Sequence, residues 1–155
     1  MRISGSYLLE APGERVWPLI FDPRSLMNLI PGCQQLERVG ENEYRGQIQI
    51  GVAAVRGVYE TSVRVLEQSP LSRCRLEGEV SGPAGVIQGQ ASFVLKEVED
   101  GKTQLDYEAD ATITGALAQL SPRFIEGLVR TLIRHGLTEL NQQLRAQSAA
   151  DTDGR

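Results

Sequence analysis

Residues 115–146 are the only stretch of this chain long enough and periodic enough for a full-length helix, and the remainder must cover one side of it. Ser121 and Pro122 occupy the places of an N-cap and a first helical residue. Stepping about 100° per residue puts Ile125, Leu128, Val129, Leu132, Ile133, Gly136, Leu137, Leu140 and Leu144 on one broad apolar face. Arg123, Arg130, Arg134, Asn141 and Arg145 fall opposite, which predicts a basic flank turned to water or to a partner.

Strands supply the surface this helix needs. Residues 2–9 alternate Ile3, Gly5, Tyr7 and Leu9 with Arg2, Ser4 and Ser6, the period of a strand buried on one side. Ala11-Pro12-Gly13-Glu14 breaks it. A short helix carrying Val16, Trp17, Leu19, Ile20 and Phe21 follows, kept brief or kinked by Pro18. Asp22-Pro23 opens a second one through Leu29, which the Pro31-Gly32-Cys33 turn ends. Turn residues at Gly40-Glu41-Asn42, Arg56-Gly57, Ser69-Pro70, Gly82-Pro83-Ala84-Gly85 and Asp100-Gly101 then separate strands of clean alternation. Tyr59, Val63 and Val65 share one parity, as do Cys74, Leu76 and Val80, while Arg73, Arg75, Glu77 and Glu79 take the other. The pattern predicts an α+β fold, an antiparallel meander with one wet face curled round the last helix.

The inward parity also holds Gly5, Gly46, Thr61, Gly78, Gly89, Ala91, Ala109 and Ala111, where a filled core would want branched residues. Two readings stay open. The small residues bend the strands and let the helix sit close, or they floor a hollow between sheet and helix. On the second reading the lining comes from Trp17, Phe21 and Leu26 in the short helices and from Tyr59, Phe93 and Tyr107 in the strands. Leu120, Phe124, Leu128 and Leu132, in the last helix and its approach, complete it. Residues 1–146 make a single domain, and residues 147–155, small, polar and aperiodic, are expected to be a disordered tail.

Several functions are disfavoured. A net charge of −4 gives no general attraction to nucleic acid. No basic leader and no run of about eighteen apolar residues occurs, so the expectation is a cytoplasmic protein without an anchor of its own. Cys33 and Cys74 are expected as free thiols. With a single histidine, His135, and no clustered ligands, neither a metal nor a catalytic constellation is expected, and no cofactor is called for. The glycine-rich run at 82–89 lacks the Gly-Lys-Ser/Thr ending of a phosphate loop. The carboxylates Glu77, Glu79, Asp106, Glu108 and Asp110 fall on the wet strand face. Arg123, Arg130, Arg134 and Arg145 could dock an acidic partner or approach anionic head groups.

A set of residues completes the reading: Gly5, Ala11-Pro12 with Val16-Trp17, Asp22-Pro23, Ile30-Pro31-Gly32-Cys33, Gly85 with Gly89, and Gly115-Ala116-Leu117-Ala118-Gln119-Leu120. Together these resemble the carbon monoxide dehydrogenase CoxG family of the START-like helix-grip superfamily, over residues 1–144. The resemblance implies a curved seven-stranded antiparallel sheet gripping the C-terminal helix, with two short helices after the first strand and an internal hydrophobic cavity. It also implies an accessory protein of a molybdenum hydroxylase of the carbon monoxide dehydrogenase type, binding a quinone or similar lipid and linking the enzyme to the membrane. Many members carry a C-terminal extension that reaches a membrane, and the short polar tail here offers none, so membrane contact is expected to be peripheral at most.

The leading expectation is therefore a non-enzymatic cytoplasmic protein, peripheral at the inner membrane face, that holds an apolar ligand such as an isoprenoid quinone. Apolar area leaving water contributes about 25 cal/mol per Å², so a ring and a few isoprene units need no charged group to be held. Tyr59 and Tyr107 are candidates to hydrogen-bond a quinone carbonyl. The alternatives are a ligand-free docking or assembly factor acting through the basic helix face, and a small enzyme of the cyclase or hydratase sort, for which Thr61 and the two tyrosines are thin material.

Overall fold

The alternation at the N-terminus produces β1 (Arg2–Leu9), with Ile3 and Leu9 buried and Arg2, Ser4, Ser6 and Leu8 exposed. In this computed structural model, which describes residues 1–153, two short helices follow, α1 (Gly13–Phe21) and α2 (Pro23–Leu29). Pro18 lies on the exposed side of α1, where the carbonyl it leaves without a helical donor meets water. Asp22 caps α2 by accepting the Arg24 backbone N–H at 3.0 Å, with Pro23 in the first helical position. Beyond α2, Gly32 adopts φ +75°, and a Cβ there would collide with the Gln49 carbonyl oxygen. Glycine alone lets this turn close onto the neighbouring strand, where the Gln49 N–H donates to the Gly32 carbonyl at 2.8 Å.

The rest of the sheet is β2 (Cys33–Gly40), β3 (Glu43–Ile50), β4 (Gly57–Ser69), β5 (Arg73–Gly82), β6 (Gly85–Val98) and β7 (Lys102–Thr114). Its seven strands run in the order β1-β7-β6-β5-β4-β3-β2, every neighbour antiparallel. β1 thus sits at the edge opposite β2, and the α1–α2 pair carries the chain from one edge to the other. α3 (Pro122–Asp153) closes the fold, packing chiefly against α2, β1 and α1. This is the helix-grip arrangement.

Polar bonds seat the helix. Tyr7 donates to the Thr138 hydroxyl at 3.3 Å, Ser25 donates to Gln143 at 2.8 Å, and the Arg15 guanidinium donates to the Leu144 carbonyl at 2.9 Å. Between helix and sheet the apolar residues form two clusters. One gathers Leu9, Val16, Tyr44, Phe93, Leu105, Leu140 and Leu144 under α1 and the second half of α3; the other gathers Val55, Leu117 and Ile125 at the opposite end. Each fully buried leucine of this kind contributes about 1.5–3 kcal/mol.

Three expectations about α3 change. Its basic flank is not free: Arg130 pairs with Glu126 at 3.0 Å and donates to the Ser4 carbonyl at 3.3 Å, and Arg145 pairs with Glu10 at 3.5 Å. Asn141 accepts the Glu10 N–H at 2.8 Å and donates to its carboxylate at 3.0 Å. β1 is an edge strand with backbone groups left over from the sheet, and this flank satisfies part of them. Arg123 and Arg134 stay exposed. Those bonds turn the helix toward β1, which rolls Phe124 and Leu132 outward to 41% and 38% exposure. Finally, the helix does not give way to a disordered tail at residue 147 but runs on to Asp153, through alanines and glutamine that favour helix with no proline or glycine to stop it. Residues 154–155 of the expected tail lie outside the described residues.

Candidate functional site: a hollow between two clusters

Strand register decides what separates the two clusters. On the inner face Val63, Gly78, Gly89 and Ala111 stand in one row across β4, β5, β6 and β7, and Leu76, Ala91 and Ala109 stand in the next. All seven are half-buried at mid-sheet, and Val63, Gly78 and Gly89 also border the polar groove of the outer face. Glycine and alanine fill little space above the sheet, so this band between the two clusters is the candidate floor of a hollow. The Gly78 position is open on this side, since a Cβ there would meet nothing nearer than 3.5 Å.

Other inward glycines serve close packing, so both readings of the small residues hold at different positions. A Cβ on Gly5 would lie 2.5 Å from the Tyr107 hydroxyl, which crosses β1 at that point. A Cβ on Gly46 would collide with the Gln35 carbonyl, where β2 folds tightly onto β3.

The ten residues expected to line one cavity divide among different places. Trp17, Phe21, Leu26, Phe93 and Tyr107 belong to the cluster under α1. Trp17 lies 5.0 Å from Phe21 and 6.0 Å from Phe93, ring centre to ring centre, and its cluster forms one wall of the hollow. Leu120 and Leu128 pack into the other cluster, the opposite wall. Tyr59 is 1% exposed and its hydroxyl is taken by the Val55 carbonyl at 2.6 Å. Phe124 and Leu132 lie at the surface on the flank of α3 away from β1. The selection of large aromatic and leucine side chains passed over Val63 and Leu76, which stand in the same two rows as Gly78, Gly89, Ala91, Ala109 and Ala111, the small residues already legible at inward parity.

At inward parity on β3 to β7 the one charged side chain is Glu97, exposed near the end of β6 opposite Thr103, and the positions between the two clusters carry no carboxylate, lysine, arginine or histidine. Of the ionisable groups there, burial pushes the Cys74 thiol up to about 11, which keeps it a neutral, unreactive group. Burial also raises the Tyr44 hydroxyl, which donates to the Phe21 carbonyl at 2.8 Å beside a small pocket of about 160 Å³ behind Trp17. His135 is exposed on α3. Among the described residues, no three His, Cys, Asp or Glu side chains come together as a metal site. The outer face holds a broader polar groove of about 600 Å³ over β4 to β7, where Arg64 ties Glu43 at 3.9 Å and Glu77 at 3.5 Å. The band between the clusters is apolar, bordered by Val63, Leu76, Ala91, Ala109 and Ala111.

Comparison with known proteins agrees with the fold. A conserved protein from Geobacillus kaustophilus superposes with a TM-score of 0.90 at 29% identity, covering 94% of this chain and 96% of that one. A START superfamily protein from Mycobacterium smegmatis gives 0.72 at 12% identity over 94% and 98% of the two chains. The di-domain ARO/CYC BexL gives 0.67 at 18% identity over 94% of this chain and 46% of that one. No curated protein matches the sequence. No helix among the described residues is long and apolar enough to cross a membrane. The family model for the G subunits of carbon monoxide dehydrogenase (CoxG) matches residues 5–145, and the chain belongs to that family.

Proposed function

We propose that the hollow binds an apolar ligand, an isoprenoid quinone by preference, and that the protein is a non-enzymatic accessory of a molybdenum hydroxylase of the carbon monoxide dehydrogenase type, linking that enzyme to the membrane from the cytoplasmic side. The observation that carries this reading is the band of small residues between two packed clusters, in a chain of the CoxG family. The ligand replaces missing packing: its rings and methyl groups meet Trp17 and Phe93 on one side and Leu128 on the other. Tyr107 supplies the hydrogen bond to a quinone oxygen, because the Tyr59 hydroxyl is already committed to Val55. A docking factor acting through the basic helix face has less support, since Arg130 and Arg145 are engaged within the fold. An enzymatic role of the kind the ARO/CYC neighbour's name suggests has less support, because the inward positions between the clusters carry no carboxylate or histidine and Glu97, at the same parity, is exposed near the end of β6.

Solvent extraction and mass spectrometry of protein purified from its native host test the reading. A parallel titration of ligand-stripped protein with a short-chain quinone, read by fluorescence of Trp17, the sole tryptophan, tests it in vitro. Near-stoichiometric quinone in the extract and saturable quenching are expected. A clean extract together with no saturable quenching would sink it.

A further inference from the structure

The two ends of the sheet differ sharply in charge. At the end where α3 begins lie Met1, Arg2 and the connecting segments 30–34, 51–56, 83–84 and 115–124. None of these contains an Asp or Glu, and their only charged side chains are Arg2, Arg56 and Arg123. At the opposite end the connections 10–12, 41–42, 70–72 and 99–101 hold Glu10, Glu41, Glu99 and Asp100 and no basic residue. A chain of net charge −4 thus keeps every connection at one end free of carboxylates.

The acid-free end is also apolar at its tips. Val52 is 39% exposed and Phe124 41% exposed, with Ala53, Ala116, Ala118 and Pro122 exposed around them. Val55, Leu117 and Ile125, in these same connections and the first turn of α3, are buried as the cluster on this side of the proposed hollow.

We propose that this end is a docking face for an anionic lipid bilayer, with Val52 and Phe124 entering the acyl boundary and Arg56 and Arg123 meeting head-group phosphates. Charge complementarity carries the choice of occupant: arginines with no carboxylate among them suit a negative surface. Small separate tips suit a fluid surface that moulds round them, whereas a protein partner needs a matching relief with a packed centre. The inference deepens the proposed ligand reading and rests on it for its purpose, the exchange of an apolar molecule with the membrane. The charge pattern stands without it.

Flotation of the full chain with vesicles of phosphatidylcholine, with and without phosphatidylglycerol, tests the face. The protein should float with the anionic vesicles and release as salt rises. The double variant Arg56→Glu/Arg123→Glu should partition at least about 25-fold less, at about fivefold per arginine, and Val52→Asp should lose flotation at any salt. Leu71→Asp, at an exposed apolar position of the opposite end, should float like the parent; circular dichroism confirms that each variant is folded. No flotation of the parent, an equal loss in Leu71→Asp, or arginine variants that float normally but release an acidic protein partner would each overturn the proposal. Trp17 quenching by a short-chain quinone without vesicles reads the hollow separately. Normal quenching without flotation refutes the docking face alone, and flotation without quenching refutes the ligand reading alone.

Discussion

Filling the hollow separates it from an ordinary core by the sign of a stability change. Ala91 faces Ala109 across β6–β7 and Leu76 across β5–β6, so Ala91→Leu sends three further carbons into the space between the clusters. If that space is vacant, burying them contributes about 2.4 kcal/mol at about 0.8 kcal/mol per carbon. Ordering the longer side chain costs about 0.5–1 kcal/mol, leaving a gain of about 1.5–2 kcal/mol. If the space is already packed, overfilling costs about 1–3 kcal/mol instead. Urea unfolding followed by circular dichroism reads the difference, on ligand-stripped protein because a bound ligand stabilises the native state by itself. For a chain of this size the gain corresponds to a rise of about 3–8 °C in Tm. The same variant should no longer show saturable Trp17 quenching by a quinone. A loss of more than about 1 kcal/mol with ligand binding intact would refute the assignment of a hollow.

Three further outcomes follow from particular contacts. Tyr59→Phe strands the buried Val55 carbonyl and should cost about 1–3 kcal/mol without changing ligand affinity, whereas Tyr107→Phe should leave stability within about 0.5 kcal/mol and weaken quinone binding two- to tenfold; the reverse pattern would exchange their roles. Hydrogen bonds from Ser6 and Gln104 and the nearby Lys96 ammonium hold the Asp106 carboxyl down from 3.8 to about 2. Because the folded-state value is depressed, its contribution is complete above the ordinary carboxylate range and is lost as pH falls from about 4 to about 2. The urea midpoint should fall across that window and fall less in Ser6→Ala; parallel profiles would remove Ser6 as the cause. Thiol titration of the native protein at neutral pH should modify Cys33, which is half-buried, ahead of Cys74, which should react only on unfolding, and simultaneous modification would show that the sheet around Cys74 opens.

Local chemistry made most of the framework legible from the sequence. Alternation at Ile3-Gly5-Tyr7-Leu9 and along the later strands is the two-residue repeat of the pleat, and it marks the buried face whatever the strand pairs with. Asp22-Pro23 and Ser121-Pro122 mark helix starts because the cap and the fixed proline φ act within one turn. The abundance of small residues at inward parity was visible in the same way. Their arrangement was not: only the register of β4 to β7 aligns Gly78, Gly89 and Ala111 into a band, and only the tertiary fold gathers the large side chains into clusters on either side of it. The seating of α3 spends Arg130 and Arg145 on β1 and its end and exposes Phe124 and Leu132, while the turn before β4 commits Tyr59 to Val55. Helical periodicity assigns a side chain to a face of its own helix. Which way that face turns is decided by partners more than a hundred residues away in the chain, and that information exists only once the fold has brought them together.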